Sequence, residues 1–190
     1  MTSFIGRMGA IFSGVLVTAA VASAEPLTVG TYKLTPQNTQ VEFAIDNFWG
    51  VVTSHGKFTA LQGELVFAEP LQQSTVKVTI ETTSIDTNIG KRDEHLRGDD
   101  FLAVGTFPTM SFQSTKVSGT QEAFEVEGLL TLKGNSKPVT LKGSLNKERS
   151  EITAVTTINR QNFGVTYSGK GLADDVLIEL KFQPQAAVNK

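Results

Sequence analysis

Charge is concentrated between Asp86 and Asp100, where Arg92, Asp93, Glu94, His95, Arg97 and Asp99 follow one another with few apolar residues between them. Such a block offers three kinds of chemistry. Histidines with a carboxylate can hold zinc or iron, a serine beside a histidine can be activated as a nucleophile, and arginine forks suit a phosphate. The spacing limits the first two. His55 and His95 are the only histidines, Glu94-His95 is an isolated pair, and no H-E-x-x-H run is present. Ser54-His55-Gly56 and Ser84 lack the G-x-S-x-G elbow, and cysteine is absent. Gly164 to Gly171 follows neither the dinucleotide pattern nor the P-loop pattern. The sequence therefore predicts no catalytic residue, no metal ligand and no cofactor. What remains is a set of donors for an anionic or polar headgroup: Arg92, His95, Arg97 and Arg160. For Arg160 the simpler expectation is a structural one, an ion pair with Asp86 or Asp93 that pins the charged block.

Elements on either side must position that block. Asp86, Thr87 and Asn88 offer oxygens to cap a helix start, and Lys91 to Arg97 predicts a short helix that only tertiary packing can hold. Leu96, Phe101, Leu102 and Phe107 are the residues available to dock it. Elsewhere apolar and polar residues alternate. Val41, Phe43 and Ile45 share one face of a strand, Leu61, Leu65 and Phe67 another, and Val76, Val78 and Ile80 oppose Lys77, Thr79 and Glu81. Phe124 to Leu132 and Val139 to Leu145 read as a hairpin, Ile152 to Ile158 is β-branched, and Val176 to Phe182 closes the chain. Asp46 to Gly50 interrupts the strand of Val41, Phe43 and Ile45, and Gly56 predicts a bulge or bend. Roughly eight strands with one helical insertion predict an all-β fold, an extended antiparallel β-barrel. The insertion reads either as a salt-bridged cap at the end of the barrel or as a lid beside a ligand site.

Met1 to Ala24 reads as a signal peptide. Arg7 supplies its positive region, Ala10 to Ala20 its apolar run, and Ala22-Ser23-Ala24 a cleavage site before Glu25. The apolar run falls short of the about 20 residues that a membrane span needs. Residues 25–190 then form one domain of 190 − 24 = 166 residues, long enough to bury a sizeable core. Removing Arg7 leaves 16 basic residues (17 − 1) against 19 acidic ones, a net of −3 with no long run of one sign, which argues against a nucleic-acid partner. A periplasmic location is expected. Without disulfides the fold rests on its core.

Ten phenylalanines remain beyond Phe4 and Phe12, against one tryptophan and two tyrosines, so the interior is expected to be greasy and poor in polar handles. Several segments also resemble, in order, the YceI-like family of periplasmic polyisoprenoid-binding proteins. They are Ser84-Ile85-Asp86-Thr87, Arg92-Asp93, His95-Leu96-Arg97, Asp100-Phe101, Phe107-Pro108 and Phe112. Gly128 to Gly134, Pro138-Val139, Asn159-Arg160 and Phe163-Gly164 follow. The resemblance runs from about Tyr32 to Phe182. It implies a lipocalin-like, eight-stranded barrel whose apolar tunnel holds a prenyl-chain amphiphile, such as an isoprenoid quinone or polyprenyl phosphate, or another long-chain lipid. On that footing the chain is a carrier and not an enzyme. The expected ligand-binding residues are Phe43, Phe58, Phe101, Phe112, Leu130 and Phe163 along the tunnel, with Arg92, His95 and Arg160 toward the headgroup. Ser84 to Phe101 would gate one end.

Two other classes stay open. A metal-dependent or hydrolytic enzyme would use His95 and its neighbouring carboxylates. A small outer-membrane barrel would share the signal peptide and the strand count, but Lys77, Glu81, Glu125, Glu127, Lys142 and Lys181 occupy one face of their strands and aromatic girdles are lacking. The expectation is a barrel that is not membrane-embedded and touches a membrane only transiently. Homodimers are the commonest assemblies, which leans the reading toward a pair of copies.

Overall fold

The alternating segments form one antiparallel sheet in a computed structural model that describes residues 26–169 and 171–184. The expected signal peptide, residues 1–24, lies outside the described residues. The strands are β1 (Gly30–Leu34), β2 (Thr39–Asn47), β3 (Val52–Phe58), β4 (Leu61–Phe67), β5 (Thr75–Glu81) and β6 (Ile85–Asp86). After the helix α1 (Gly90–Arg97) come β7 (Thr109–Gly119), β8 (Phe124–Leu132), β9 (Asn135–Asn146), β10 (Glu151–Asn159) and β11 (Asp175–Phe182). β1 precedes the first strand that the alternation predicts, the one containing Val41, Phe43 and Ile45.

Eleven segments in the order β1-β4-β5-β7-β8-β9-β10-β11-β2-β3-β6 replace the eight expected strands, and the difference is one of interruption. Only Thr59 and Ala60 separate β3 from β4, and the pairing continues across them: Thr59 N–H donates to Ser84 O at 3.1 Å and Glu81 N–H to Ala60 O at 3.0 Å. The run β3–β4 therefore has β1 and β2 along one edge and β5 and β6 along the other. Three runs broken in two account for the extra segments, and the β3–β4 run brings the two ends of the strand order together, so that the sheet curls round as a barrel with β1 and β6, each paired to one strand, at those ends.

Register decides what faces inward. Val78, Phe112 and Leu130 form one row across β5, β7 and β8, and Ile178, Phe43 and Gly56 another across β11, β2 and β3. A bulge in β7 between Ser114 and Lys116 shifts the register by one residue. It lets Phe112 and Val117, which have opposite parity in the sequence, both be buried. Gly56 does not bend its strand as expected; it pairs regularly with Phe43. On the outer face Lys142 pairs with Glu125 at 3.6 Å and Lys116 with Glu127 at 2.8 Å. A surface laced with charge is unlike the apolar band of a lipid-facing barrel.

Helix α1 covers one end. Its N-cap is Ile89, with no side-chain cap, so Asp86, Thr87 and Asn88 do not cap it as expected. Instead the carboxylate of Asp93, in the first turn, reaches back to accept hydrogen bonds from the amide and hydroxyl of Thr87. Arg97 donates to Thr83 O at 2.8 Å and Ile85 O at 2.7 Å, fastening the last turn to the wall.

Thr82 is fully buried between β5 and the segment returning from α1. Its hydroxyl donates to Phe107 O at 2.7 Å, and its amide to Pro108 O at 2.9 Å. Thr82→Val keeps the shape and removes the hydroxyl, leaving a buried carbonyl without its donor. The expected cost is about 1–3 kcal/mol, read as a lower urea midpoint at unchanged slope.

Candidate functional site

The inner faces of the barrel enclose a cavity of about 530 Å³, within the ~300–1,000 Å³ typical of ligand sites. Its wall is overwhelmingly apolar, with Val41, Phe43, Val78, Phe112, Val126 and Leu141 among its contributors. Glycine keeps it open. A Cβ on Gly56 would lie 2.4 Å from Phe43 Cζ, one on Gly128 2.3 Å from Phe112 Cζ, and one on Gly143 2.6 Å from Phe124 Cζ. Each of these rings occupies the space that a neighbouring side chain would fill. Three phenylalanines thus lie against the wall instead of filling the barrel axis.

Polar groups gather at the end covered by α1. Arg92 donates from Nε to Thr87 Oγ1 at 2.8 Å, from Nη2 to Thr87 O at 2.9 Å and from Nη1 to Ser54 Oγ at 3.1 Å. Asn47 Nδ2 donates to the same Ser54 oxygen at 2.8 Å. Thr87 hydroxyl thus accepts from Arg92 and donates to Asp93, which orients both. Three bonds engage a guanidinium with five N–H groups, and Arg92 makes no ion pair among the described residues. Arg92, Thr87, Ser54 and Asn47 all line the cavity. An anion or carbonyl arriving there meets a half-buried cation already aimed by neutral oxygens.

Beside it stands an aromatic group. The His95 ring meets Phe101 edge-on at 5.0 Å and Tyr167 edge-on at 5.1 Å, and Phe101 and Tyr167 lie 4.7 Å apart. His95 Nε2 is 3.6 Å from Asp100 Oδ2, both side chains being largely exposed. His55 projects from the outer face of β3, opposite Ala44, so the two histidines do not meet. Among the described residues no group of three His, Asp or Glu side chains converges as a metal site would require.

Of the residues expected at the site, Phe43, Phe58, Phe101, Phe112, Leu130, Arg92, His95 and Arg160 line the cavity. Phe163 does not. It is buried in the wall at 2% exposure, within the 3-10 turn Arg160–Phe163. There its carbonyl accepts from Asn135 Nδ2 at 3.0 Å.

Arg160 also differs from expectation. It pairs with Asp174 at 2.9 Å, not with Asp86 or Asp93, and its other donors go to Ala173 O at 2.8 Å and Val165 O at 2.7 Å. At 4% exposure it ties the segment before β11 to the barrel. Arg97, spent on Thr83 and Ile85, lies outside the lining. Sequence reasoning missed Tyr167, Leu172, Thr87, Ser54 and Asn47 among the lining residues. All but Leu172 lie in stretches that it considered for other reasons.

Displaced protonation equilibria fall elsewhere. The carboxylate of Glu127 pushes Lys116 up, and the hydrogen bond from Lys147 pulls Glu122 down to about 2. Both groups are exposed and neither lines the cavity.

The YceI-like domain model matches residues 32–184. A UPF0312 protein of Pseudomonas paraeruginosa is 35% identical over 158 residues, spanning 77% of this chain and 82% of that protein. Among solved structures, BcnA of Burkholderia cenocepacia superposes with a TM-score of 0.70 at 22% identity, over 77% of this chain and 96% of that one. A polyisoprenoid-binding domain from Saccharophagus degradans, implicated in plant cell wall breakdown, superposes with a TM-score of 0.60 at 14% identity. It covers 84% of this chain and 100% of its own. At these identities the two structures share the fold.

The glycine–phenylalanine contacts yield a direct test. Gly56→Ala should lever the Phe43 ring off the wall, since the atoms it would strike are side-chain atoms of Phe43 and Thr87. The expected cost is about 1–3 kcal/mol of overpacking, with weaker binding of a fluorescent long-chain fatty probe. The double variant Gly56→Ala/Phe43→Ala should regain probe binding. Unchanged binding by Gly56→Ala alone would remove this glycine from the account of the open lumen.

Proposed function

This chain belongs to the YceI-like domain family, and from that premise we propose that it is a periplasmic carrier for the hydrocarbon chain of a polyisoprenoid or similar long-chain amphiphile. The observation that carries the reading is the lumen itself. It is a cavity of about 530 Å³ with an overwhelmingly apolar wall. The polyisoprenoid-binding neighbour supports the same ligand class, and the family supports binding over catalysis.

Magnitudes indicate which part of the ligand matters. Burying one five-carbon isoprene unit gains about 4 kcal/mol relative to water, and association costs on the order of 4–15 kcal/mol. A few units in the lumen therefore offset the cost before any headgroup contact is made. A bilayer shelters the same chain equally well, so exchange between bilayer and lumen lies near balance. That suits a protein that must both load and release.

The headgroup reading centres on Arg92, the guanidinium at the lumen end that lacks a carboxylate partner among the described residues. A planar fork suits phosphate best and also donates to a quinone carbonyl. Ser84 to Phe101, which contains α1, is the segment that would move to admit a chain. His95, Phe101 and Tyr167 would flank the entering headgroup.

Arg92→Gln should weaken binding of a polyprenyl phosphate roughly 10- to 100-fold, the worth of a hydrogen bond to a charged group. Binding of the matching polyprenol should be nearly unchanged, both being measured by titration of the exported protein. Equal losses for both ligands would give Arg92 a purely structural role through Thr87 and Ser54. Fractionation tests the compartment. The protein is expected in the osmotic-shock fluid with a mass beginning at Glu25, and release only by detergent would contradict it.

A further inference from the structure

The turn joining β2 to β3 carries three large apolar side chains in solvent: Phe48 is 55% exposed, Trp49 81% and Val51 81%. Val52, which follows, is 47% exposed. The turn is built at conformational expense, because Phe48 (φ 51°) and Trp49 (φ 57°) both sit in the left-handed region, which bulky residues adopt rarely. It is also held in place. Trp49 N–H donates to Gly171 O at 3.2 Å, and Ala173 N–H donates to Asp46 O at 2.8 Å. A Cβ on Gly171 would lie 2.6 Å from Trp49 N and 2.8 Å from Phe48 Cα, so the clamp depends on that glycine.

The position of the tip gives it a meaning. Phe48 lines the lumen as well as facing solvent, so the apolar lip is continuous with the apolar wall. Asn47 and Ser54, which flank the turn, belong to the polar group around Arg92. Ile89, just before α1, is a further exposed apolar residue, at 51%.

We propose that the β2–β3 tip seats in the interface of a lipid bilayer and brings the mouth of the lumen to the acyl-chain layer, so that a chain passes between membrane and barrel without crossing water. A second copy of this chain is the poorer occupant. One phenylalanine and one tryptophan bury about 150–250 Å² each, and with a valine the tip falls short of the roughly 800 Å² per partner that a specific protein interface needs. A tryptophan at the end of a projecting turn is instead the side chain enriched at membrane–water interfaces. Asp46 is the sole charged residue from Val41 to Lys57 apart from Glu42 and Lys57 itself. Its carboxylate accepts from Thr53 Oγ1 at 2.7 Å. Seating therefore rests on apolar insertion and not on attraction to anionic lipid. The purpose assigned to the tip rests on the carrier reading; the exposed aromatic lip does not.

Trp49 is the only tryptophan of the chain, so intrinsic fluorescence reports on the tip alone. The exported protein is titrated with vesicles of phosphatidylcholine. The expected result is a blue shift of emission with protection from acrylamide, and quenching by bromine-labelled acyl chains. Val51→Asp retains the reporter and alters a residue outside the lumen lining. It should raise the vesicle concentration for half-maximal shift about tenfold while leaving uptake of a prenyl lipid delivered from dilute ethanol unchanged.

Emission and acrylamide accessibility that stay as in buffer at saturating vesicle concentration would overturn the proposal. So would a blue shift that appears without vesicles as protein concentration rises, accompanied by a doubled mass in sedimentation. Failure of prenyl uptake with an intact vesicle shift would sink the carrier reading and leave the membrane-seating tip standing.

Discussion

A closed barrel of this girth must fill its interior with its own side chains or leave room for something else. Here the choice is made by pairs of residues, since Phe43, Phe112 and Phe124 fold back over Gly56, Gly128 and Gly143. An apolar wall without an apolar occupant forgoes the contacts that a packed interior makes, and an occupant that supplies them stabilises the fold by mass action. Folding and ligand binding are thus coupled through one volume.

The arginines divide labour by what surrounds them. Arg97 and Arg160 are engaged by backbone carbonyls, and Arg160 also by Asp174, so each fastens an irregular segment to the wall. Arg92 is held by two hydroxyls and one carbonyl, keeps spare donors and lines the lumen. Neutral partners orient a cation without cancelling its charge. That is the condition under which a half-buried guanidinium favours an incoming anion. The buried carboxylate of Asp93 acts at one remove, through the hydroxyl of Thr87, and so sets the geometry of Arg92 without pairing with it.

Much of the architecture was legible because alternation is a local property. Val41, Phe43, Val78 and Leu130 could be assigned to the inner wall from their neighbours alone, and the charged block announced itself as the helix that covers one end. The features that escaped are those that depend on distant partners. Nothing near Gly56 says that a ring from β2 will occupy its missing side chain, so it read as a bend. The bulge at Ser114 to Lys116 reverses parity within β7, and only its pairing with β8 reveals it. Asp174 lies in an irregular stretch between β10 and β11. Charge proximity in the sequence therefore pointed Arg160 to Asp86 and Asp93, which the fold holds with Lys57 and Thr87 instead. Phe163 read as one more tunnel phenylalanine because its position in a 3-10 turn, and not a strand, breaks the rule that assigned the others.

The measurement that bears most directly on the central claim is native mass spectrometry of the protein purified from its own cells without detergent, followed by organic extraction. The account predicts a stoichiometric adduct of a prenyl or other long-chain amphiphile, released intact on denaturation. An apo mass that persists when prenyl lipids are then offered would contradict it, and would mean that the lumen seen between Phe43, Phe112 and Phe124 does not admit a chain.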